Sequence, residues 1–380
     1  MKKGGQTKRL SDLYKIGSSK RVLQSQWKTE GVPFYRGREV TRLAADGFVD
    51  NELFISEEHF AELSNEYGVP KAGDIVITAI GTIGNSHVVR SADRFYFKDA
   101  SVLWMKRTAE VSSEFVNLWL KSPAFFDQLD RGNGATVDTL TIQKLQSVEI
   151  AVPPLAEQQR IVGLLDEAFE GLATAKANAE KNLQNARALF ENHLQSVFTQ
   201  RGPGWVEKSL GETCEMYQPK TIGTKDLVPD GPYSVFGANG VIGRYDKFNH
   251  EEAQLLVTCR GATCGSVNIS EPNSWITGNA MVVRPKDHAL DLHFLEFVFR
   301  GGIDISAAIT GAAQPQITRT NLSPLLIRFP KSVAEQTRLA EKFEDLSEET
   351  QRLARLYERK HAALEALKKS LLHQAFTGEL

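Results

Sequence analysis

The feature that most constrains this chain is that it is written twice. Residues 156–199 and 334–377 align without a gap over 44 positions at a constant offset of 178, AEQQRIVGLLDEAF facing AEQTRLAEKFEDLS. Eleven positions are identical, among them Glu157/Glu335, Gln158/Gln336, Arg160/Arg338, Leu194/Leu372 and Phe198/Phe376. The repeat extends upstream: TLTIQKLQSVEIAVP (139–153) matches QITRTNLSPLLIRFP (316–330), and GDIVITAIGTIG (73–84) matches AQLLVTCRGATCG (253–265), with Thr78 and Gly81 facing Thr258 and Gly261. Self-similarity of this kind decides architecture before any local signal does. The expected order is globule (1–152), long helix (153–202), globule (203–330), long helix (331–380). A chain of 380 residues also exceeds the roughly 250–300 residues at which single cores stop growing.

Both helices are strongly signalled. The second follows Pro330 with Ser332 as N-cap and Glu335 three residues on, a capping box that satisfies two orphaned backbone donors. The first follows Pro153 and Pro154, with Glu157 where the helix dipole favours negative charge. In the second helix Leu339, Leu346, Leu353 and Leu367 form one heptad track, and Phe343, Thr350, Tyr357, Leu364 and Leu371 the other. The same tracks of the first helix hold Ile161, Ala168, Ala175, Asn182 and Leu189, and Leu165, Leu172, Ala179, Ala186 and His193. Small residues in one face bulky residues in the other, so the two helices, each roughly 65 Å long at about 1.5 Å per residue, are expected to pair antiparallel with a globule at either end. The alternative is that each packs on its own globule. The globules carry short strand-like runs (VPFYRG, DIVITAIGTIG, ASVLWMK, PYSVFGANGVIG, LLVTCRGATCG, AMVVRP) and short helices (112–122 and 292–301), which predicts α+β domains with irregular, partly antiparallel sheets.

With 41% hydrophobic and 24% charged residues, the composition is that of a soluble globular protein rather than a disordered or membrane-spanning one. The longest apolar runs are strand-sized, and the basic start MKKGGQTKRL has no apolar run behind it to make a signal peptide, so a cytoplasmic location and no membrane partner are expected. Cys214, Cys259 and Cys264 are read as free structural thiols, since no second Cys/His pair accompanies them. Net charge is only −2, yet residues 1–42 hold eleven Lys/Arg against Asp12, Glu30 and Glu39, a surplus of eight positive charges that could bind phosphate.

Catalytic signatures are missing. The sequence has no GxxxxGK[ST] loop, no HExxH and no Asn/Asp-Pro-Pro-aromatic run. VPPL (152–155) lacks the polar first residue and the aromatic of that last motif, and GNGAT (132–136) does not follow the order of a dinucleotide site. His87, His250, His288, His293 and His361 have no obvious carboxylate or cysteine partner at useful spacing and are expected at the surface or in the core. What remains is recognition. Arg260 sits in the turn of LLVTCRGATCG, where glycines allow close backbone approach and a guanidinium can read guanine. Gln314, Gln316 and Asn321 carry amides able to pair with adenine, although turn chemistry explains each of them as well. Lys20, Arg21, Arg36 and Arg38 in the first globule, with Lys220, Lys225, Arg244 and Arg319 in the second, are candidates for phosphate contacts.

Taken together, VPPLAEQQRI after a strand, FGANGVIGRYD, GNAMVV, GAAQPQI and the terminal FTGEL resemble the DNA specificity subunit of type I restriction-modification enzymes over essentially the whole chain. The second copy departs from that pattern, reading PKSVAEQTRLAEKF in place of a double proline and EQ-x-I. The resemblance implies two similar target recognition domains, each reading one half of a split, asymmetric double-stranded DNA site, separated by an antiparallel coiled coil with pseudo-twofold internal symmetry. It further implies two modification (methyltransferase) subunits that use S-adenosylmethionine, and restriction subunits that use ATP and Mg for translocation and cleavage; the chain itself would hold no cofactor or metal. Gln158, Arg160, Gln336 and Arg338 would be candidate contacts for those partners, against a role in first-turn capping and salt bridging. A coiled-coil scaffold joining two protein-binding globules is the competing reading, which the modest net charge favours. An autonomous nuclease or methyltransferase is disfavoured by the absent motifs.

Overall fold

The computed structural model describes residues 5–129, 139–200, 202–311 and 314–380; GNGAT and Lys2 and Lys3 lie outside them. The chain divides into two compact units, residues 1–178 with 360–380, and residues 179–359. The division falls within the long helices, so each unit holds one globule and a stretch of both helices.

In the first unit, β1 (Gln6–Arg9), α1 (Leu10–Leu13), β2 (Tyr14–Gly17) and β3 (Val32–Tyr35) lead into α2 (Gly37–Asp46), β4 (Phe54–Ile55) and α3 (Glu57–Glu66). Then come β5 (Ile75–Thr78), β6 (Ser86–Val88), β7 (Tyr96–Phe97), β8 (Val102–Arg107), α4 (Ser113–Leu120), α5 (Pro123–Leu129), α6 (Ile142–Ser147), β9 (Glu149–Val152) and the long α7 (Leu155–Gln200). The strands form three sheets, ordered β2-β8-β5-β6, β4-β3-β7 and β1-β9, antiparallel except for β3 with β7.

The second unit repeats this plan with β10 (Trp205–Ser209), α8 (Leu210–Thr213), β11 (Cys214–Tyr217), β12 (Tyr233–Gly237), β13 (Gly240–Tyr245), β14 (Leu255–Thr258) and β15 (Val267–Ile269), followed by β16 (Trp275–Ile276), β17 (Ala280–Pro285), α9 (Leu292–Phe297), α10 (Arg319–Leu322), β18 (Leu326–Pro330) and the long α11 (Val333–Thr377). Its sheets, β11-β17-β14-β15, β13-β12-β16 and β10-β18, correspond strand for strand to those of the first unit. The α+β expectation therefore holds. The largest departure between the units is local: α2, β4 and α3 follow β3 in the first, whereas a tight β12–β13 hairpin stands there in the second.

Within each unit the long helices run antiparallel. In the first, Arg160 donates to the Leu380 carbonyl and Lys176 pairs with Glu365, while Ile161, Leu165, Leu372 and Ala375 enter the globule's core. In the second, Arg187 pairs with Glu358, and Leu194, Phe198, Ala340 and Phe343 enter the core. The alanines of α7 lie at the seam as expected, Ala179 and Ala186 being buried. The heptad tracks need one correction: Leu189 is 51% and Leu367 47% exposed. Each stands four heptads along its track, and a strict seven-residue repeat drifts by roughly 20° per heptad on an ideal helix, so both have rotated off the seam.

Candidate functional site

The two units share one exposed feature built from the same backbone hydrogen bonds. After β5, Thr78 N donates to Asn85 O (2.9 Å), Gly84 N to Thr78 O (3.1 Å), and Leu140 N to Ala79 O (2.8 Å). After β14, Thr258 N donates to Ser266 O (2.8 Å), Gly265 N to Thr258 O (2.9 Å), and Ile317 N to Cys259 O (2.9 Å). Gly81 and Gly261 take left-handed φ values of +78° and +86°, which only glycine adopts without strain. The residue before each glycine, Ile80 or Arg260, forms the same isolated bridge, to Thr139 or to Gln316. The turn thus leaves the same strand end and is pinned by the same bridge in both units.

Each turn is latched to the element peculiar to its unit. In the first unit Asn85 Nδ2 donates to Thr41 Oγ1 of α2 (3.0 Å). In the second, the hydroxyls of Thr258 and Thr263 reach Asn239 Oδ1 at the hairpin tip (3.0 and 2.9 Å), and Thr258 also donates to Ala238 O (2.8 Å). The base of that hairpin is anchored by a polar relay. Arg284 donates to the Tyr217 hydroxyl (2.7 Å), so Tyr217 donates to His250 Nε2 (2.8 Å) and His250 Nδ1–H to Asn249 Oδ1 (2.6 Å). Burial, and then the nearby Arg284 charge, hold the imidazole below its ordinary pKa, which keeps it neutral in this role.

Of the second-unit candidates, Arg260, Gln316 and Arg319 converge on one shallow cavity of about 360 Å³, floored by Met216, Met281 and Ile317. Gln314 is exposed beside the undescribed residues 312–313. Asn321 is half-buried in the first turn of α10, its N–H capped by Thr318. Lys220 and Lys225 are exposed between β11 and β12. Arg244 is spent on structure, its guanidinium donating to the carbonyls of Gly231 and Pro232.

In the first unit part of the basic surplus is answered by acids that a local count misses, Asp99 and Glu52. Arg21 pairs with Asp99 (2.9 Å), and Arg38 with both Glu39 (2.9 Å) and Glu52 (2.8 Å). Arg36 grips Glu39 through Nε, a second guanidinium nitrogen and its backbone N–H. Lys20 lies over the Tyr67 ring. Burial alone would raise the Glu39 carboxyl, but these donors outweigh it and hold it at about 2, against an ordinary 4.5. A depressed carboxylate contributes stability that is fully present above its ordinary value and is lost as pH falls through its folded one. Glu39→Gln is therefore expected to cost about 2–3 kcal/mol at pH 7, allowing for solvent screening at the half-exposed arginines, and the difference from the parent should shrink between pH 4.5 and 2 in unfolding titrations.

Two of the candidate partner contacts are corrected by burial. Gln158 is 2% and Gln336 0% exposed. Gln158 accepts from Ser112 N and donates to Pro153 O (both 2.8 Å); Gln336 accepts from Asp291 N (2.8 Å) and donates to Pro330 O (2.8 Å) and Ala289 O (3.1 Å). Ser112 and Asp291 are the N-caps of α4 and α9, so each glutamine clasps its long helix to a short helix of the globule that precedes it rather than facing outward. Arg160 and Arg338 stay exposed, the former paired with Glu157 (2.8 Å). Two histidines also gain partners that sequence spacing hid: His87 meets Asp93 (2.8 Å) across a turn, and His293 meets Glu344 (2.9 Å) on α11. The three cysteines are unpaired thiols, with burial pushing Cys214 up to about 11. Among the described residues there is no cluster of His, Cys, Asp or Glu able to hold a metal ion, and no helix is long and apolar enough to cross a membrane.

Comparison with known proteins agrees with this plan. Residues 2–183 and 203–358 match the type I restriction modification DNA specificity domain, once per globule. Over 191 residues the chain is 31% identical to a putative type I restriction enzyme specificity subunit of Haemophilus influenzae, covering 48% of this chain and 47% of that protein. Over 162 residues it is 26% identical to the EcoBI specificity subunit of Escherichia coli, covering 39% and 32%. The matches thus span less than half the length of these curated relatives. Its fold is that of a chain from a type I R-M system described for complex assembly and conformational transition (TM-score 0.78, 18% identity, 100% of this chain and 99% of that one). The HsdS subunit from Thermoanaerobacter tengcongensis is similar over 100% and 98% of the two chains (TM-score 0.65, 18% identity). A doubled globule, a doubled helix and a family match across both halves lead to one conclusion: the chain belongs to the type I restriction-modification DNA specificity family.

Proposed function

We propose that this chain is the non-catalytic subunit that reads a bipartite, asymmetric double-stranded DNA site, one half with each unit, and directs modification and restriction subunits to it. The observation that carries this reading is a shared turn, held by three corresponding backbone hydrogen bonds and one corresponding bridge in the two units, that presents Ile80 in one and Arg260 in the other. A common scaffold with different exposed tips suits two readers of different half-sites better than it suits a scaffold for two copies of one protein. Arg260, Gln316 and Arg319 line one cavity and supply the donors and acceptors that base edges and phosphates require.

Two modification subunits would dock at the quasi-equivalent starts of α7 and α11. With Gln158 and Gln336 buried, the outward-facing residues there are Arg160 and Arg338, joined by the exposed apolar pair Leu155 and Val333 at matching repeat positions. S-adenosylmethionine, ATP and Mg belong to those partners and to the restriction subunits in this reading, and the assembly would act on DNA in the cytoplasm.

Selection of a random duplex library by the full chain with its modification subunits tests the proposal. An enriched motif in two parts is expected; no enrichment would sink it. Arg260→Ala should relax one position of one half-site by about 1–3 kcal/mol and leave the other half unchanged, as read from the same selection. Unchanged preference in both halves would remove Arg260 from the interface.

A further inference from the structure

Ile80 occupies in the first unit the place that Arg260 occupies in the second: the same strand end, the same bridge, the same left-handed glycine after it. Its neighbours on the turn are committed inward, Ala79 being buried and Thr78 bonding to Thr82 O and Asn85 N. Ile80 itself is 47% exposed, although the β5 strand it follows is fully buried. The turn is braced on its other side by α2, which the second unit lacks; a Cβ on Gly37 would lie 3.8 Å from Ile80 O and from Ser101 O. A large aliphatic side chain is thus exposed at a tip where the paired unit presents a guanidinium.

We infer that Ile80 is a specificity-determining residue of the first unit and that it reads the C5-methyl group of a thymine in the major groove. The inference rests on the DNA-reading function proposed above. An isoleucine can neither bond a phosphate nor pair with a base edge, so at this position it selects only through apolar contact. It is also short. With its backbone pinned at the strand end by the same bridge as that of Arg260, it reaches only an apolar group that projects from the base edge toward the protein, and among the four bases that group is the thymine methyl. The outcome is a division of labour: a polar tip reads one half-site and an apolar tip reads the other.

The test uses the full chain in complex with its modification subunits and duplexes carrying the selected site, in which each thymine is replaced in turn by uracil, so that only a methyl is lost. The half-site of the first unit is the one whose preference Arg260→Ala leaves intact. At one thymine of that half, uracil should weaken binding by the wild-type complex about fourfold, the worth of one buried methyl-sized group. Ile80→Ala should weaken binding to the thymine duplex by a similar factor and lose its sensitivity to uracil there. Ile80→Val, which keeps a branched methyl, should retain most of that sensitivity, and Arg260→Ala should retain all of it. Persistence of the uracil effect in Ile80→Ala, or no uracil-sensitive thymine in that half-site, overturns the inference while leaving DNA reading intact. If the wild-type complex selects no bipartite sequence at all, DNA reading itself fails and takes the inference with it.

Discussion

Gln336→Ala should destabilise the second unit by about 3–5 kcal/mol, measured by denaturant unfolding of the full chain. The amide is buried and its oxygen and both donors are used. Truncation strands the Asp291 N–H and the carbonyls of Pro330 and Ala289, and an unsatisfied buried group costs about 1–3 kcal/mol. The damage reaches further because Asp291 caps α9 and also accepts from Thr337 of α11, so one side chain ties the start of the long helix to the globule. Gln336→Glu separates hydrogen bonding from shape. It preserves the acceptor for Asp291 N–H but removes both donors and buries a charge, so it should be at least as harmful at pH 7 and less so in acid, where the protonated carboxyl donates once. If Gln336→Ala costs less than about 1 kcal/mol, the clasp is not what holds α11 in place.

Phe198→Ala should cost about 3–5 kcal/mol in the same unit, the range for truncating a buried aromatic. Phe198 packs against Trp205, Phe294 and Phe343 at ring-centroid distances of 5.9, 5.7 and 6.0 Å. The fit is close enough that the chain beside it has no side chains: a Cβ on Gly302 would stand 2.9 Å from Phe198 Cδ1, and one on Gly301 2.7 Å from Leu194 Cδ2. The repeat supplies an internal comparison. Phe376, the counterpart of Phe198, meets Phe115 at 5.2 Å in the first unit but is only half-buried, so Phe376→Ala should cost clearly less under the same conditions. Equal losses would mean that burial does not account for the difference.

These two residues explain why the helix openings and endings are the parts written twice. Gln158 and Gln336 clasp an N-cap, and Leu194/Leu372 and Phe198/Phe376 insert into a globule's core, so their identity follows from docking. Between those ends Ala179 and Ala186 are buried where the second copy has Tyr357 and Leu364, and there the copies diverged. A gapless alignment carries that information because a helix converts sequence spacing directly into position along a face. The pairing of Ile80 with Arg260 was legible in the same way, since Thr78 facing Thr258 places 80 opposite 260. Nothing in an isoleucine marks it as functional, however, until its exposure is known.

By itself, then, the sequence determined the doubled plan, the two long helices, their antiparallel complementarity, the α+β globules and the lack of catalytic motifs. All of these rest on local periodicity or on self-comparison. Only the tertiary structure decided which polar residues are spent inside. It buried the two glutamines, paired Arg21 with Asp99 and Arg38 with Glu52, and brought Arg260, Gln316 and Arg319 to one cavity. The physical reason is that a charge or an amide takes its role from whichever group the fold brings within about 3 Å, and the fold draws those groups from strands and turns far apart in the chain.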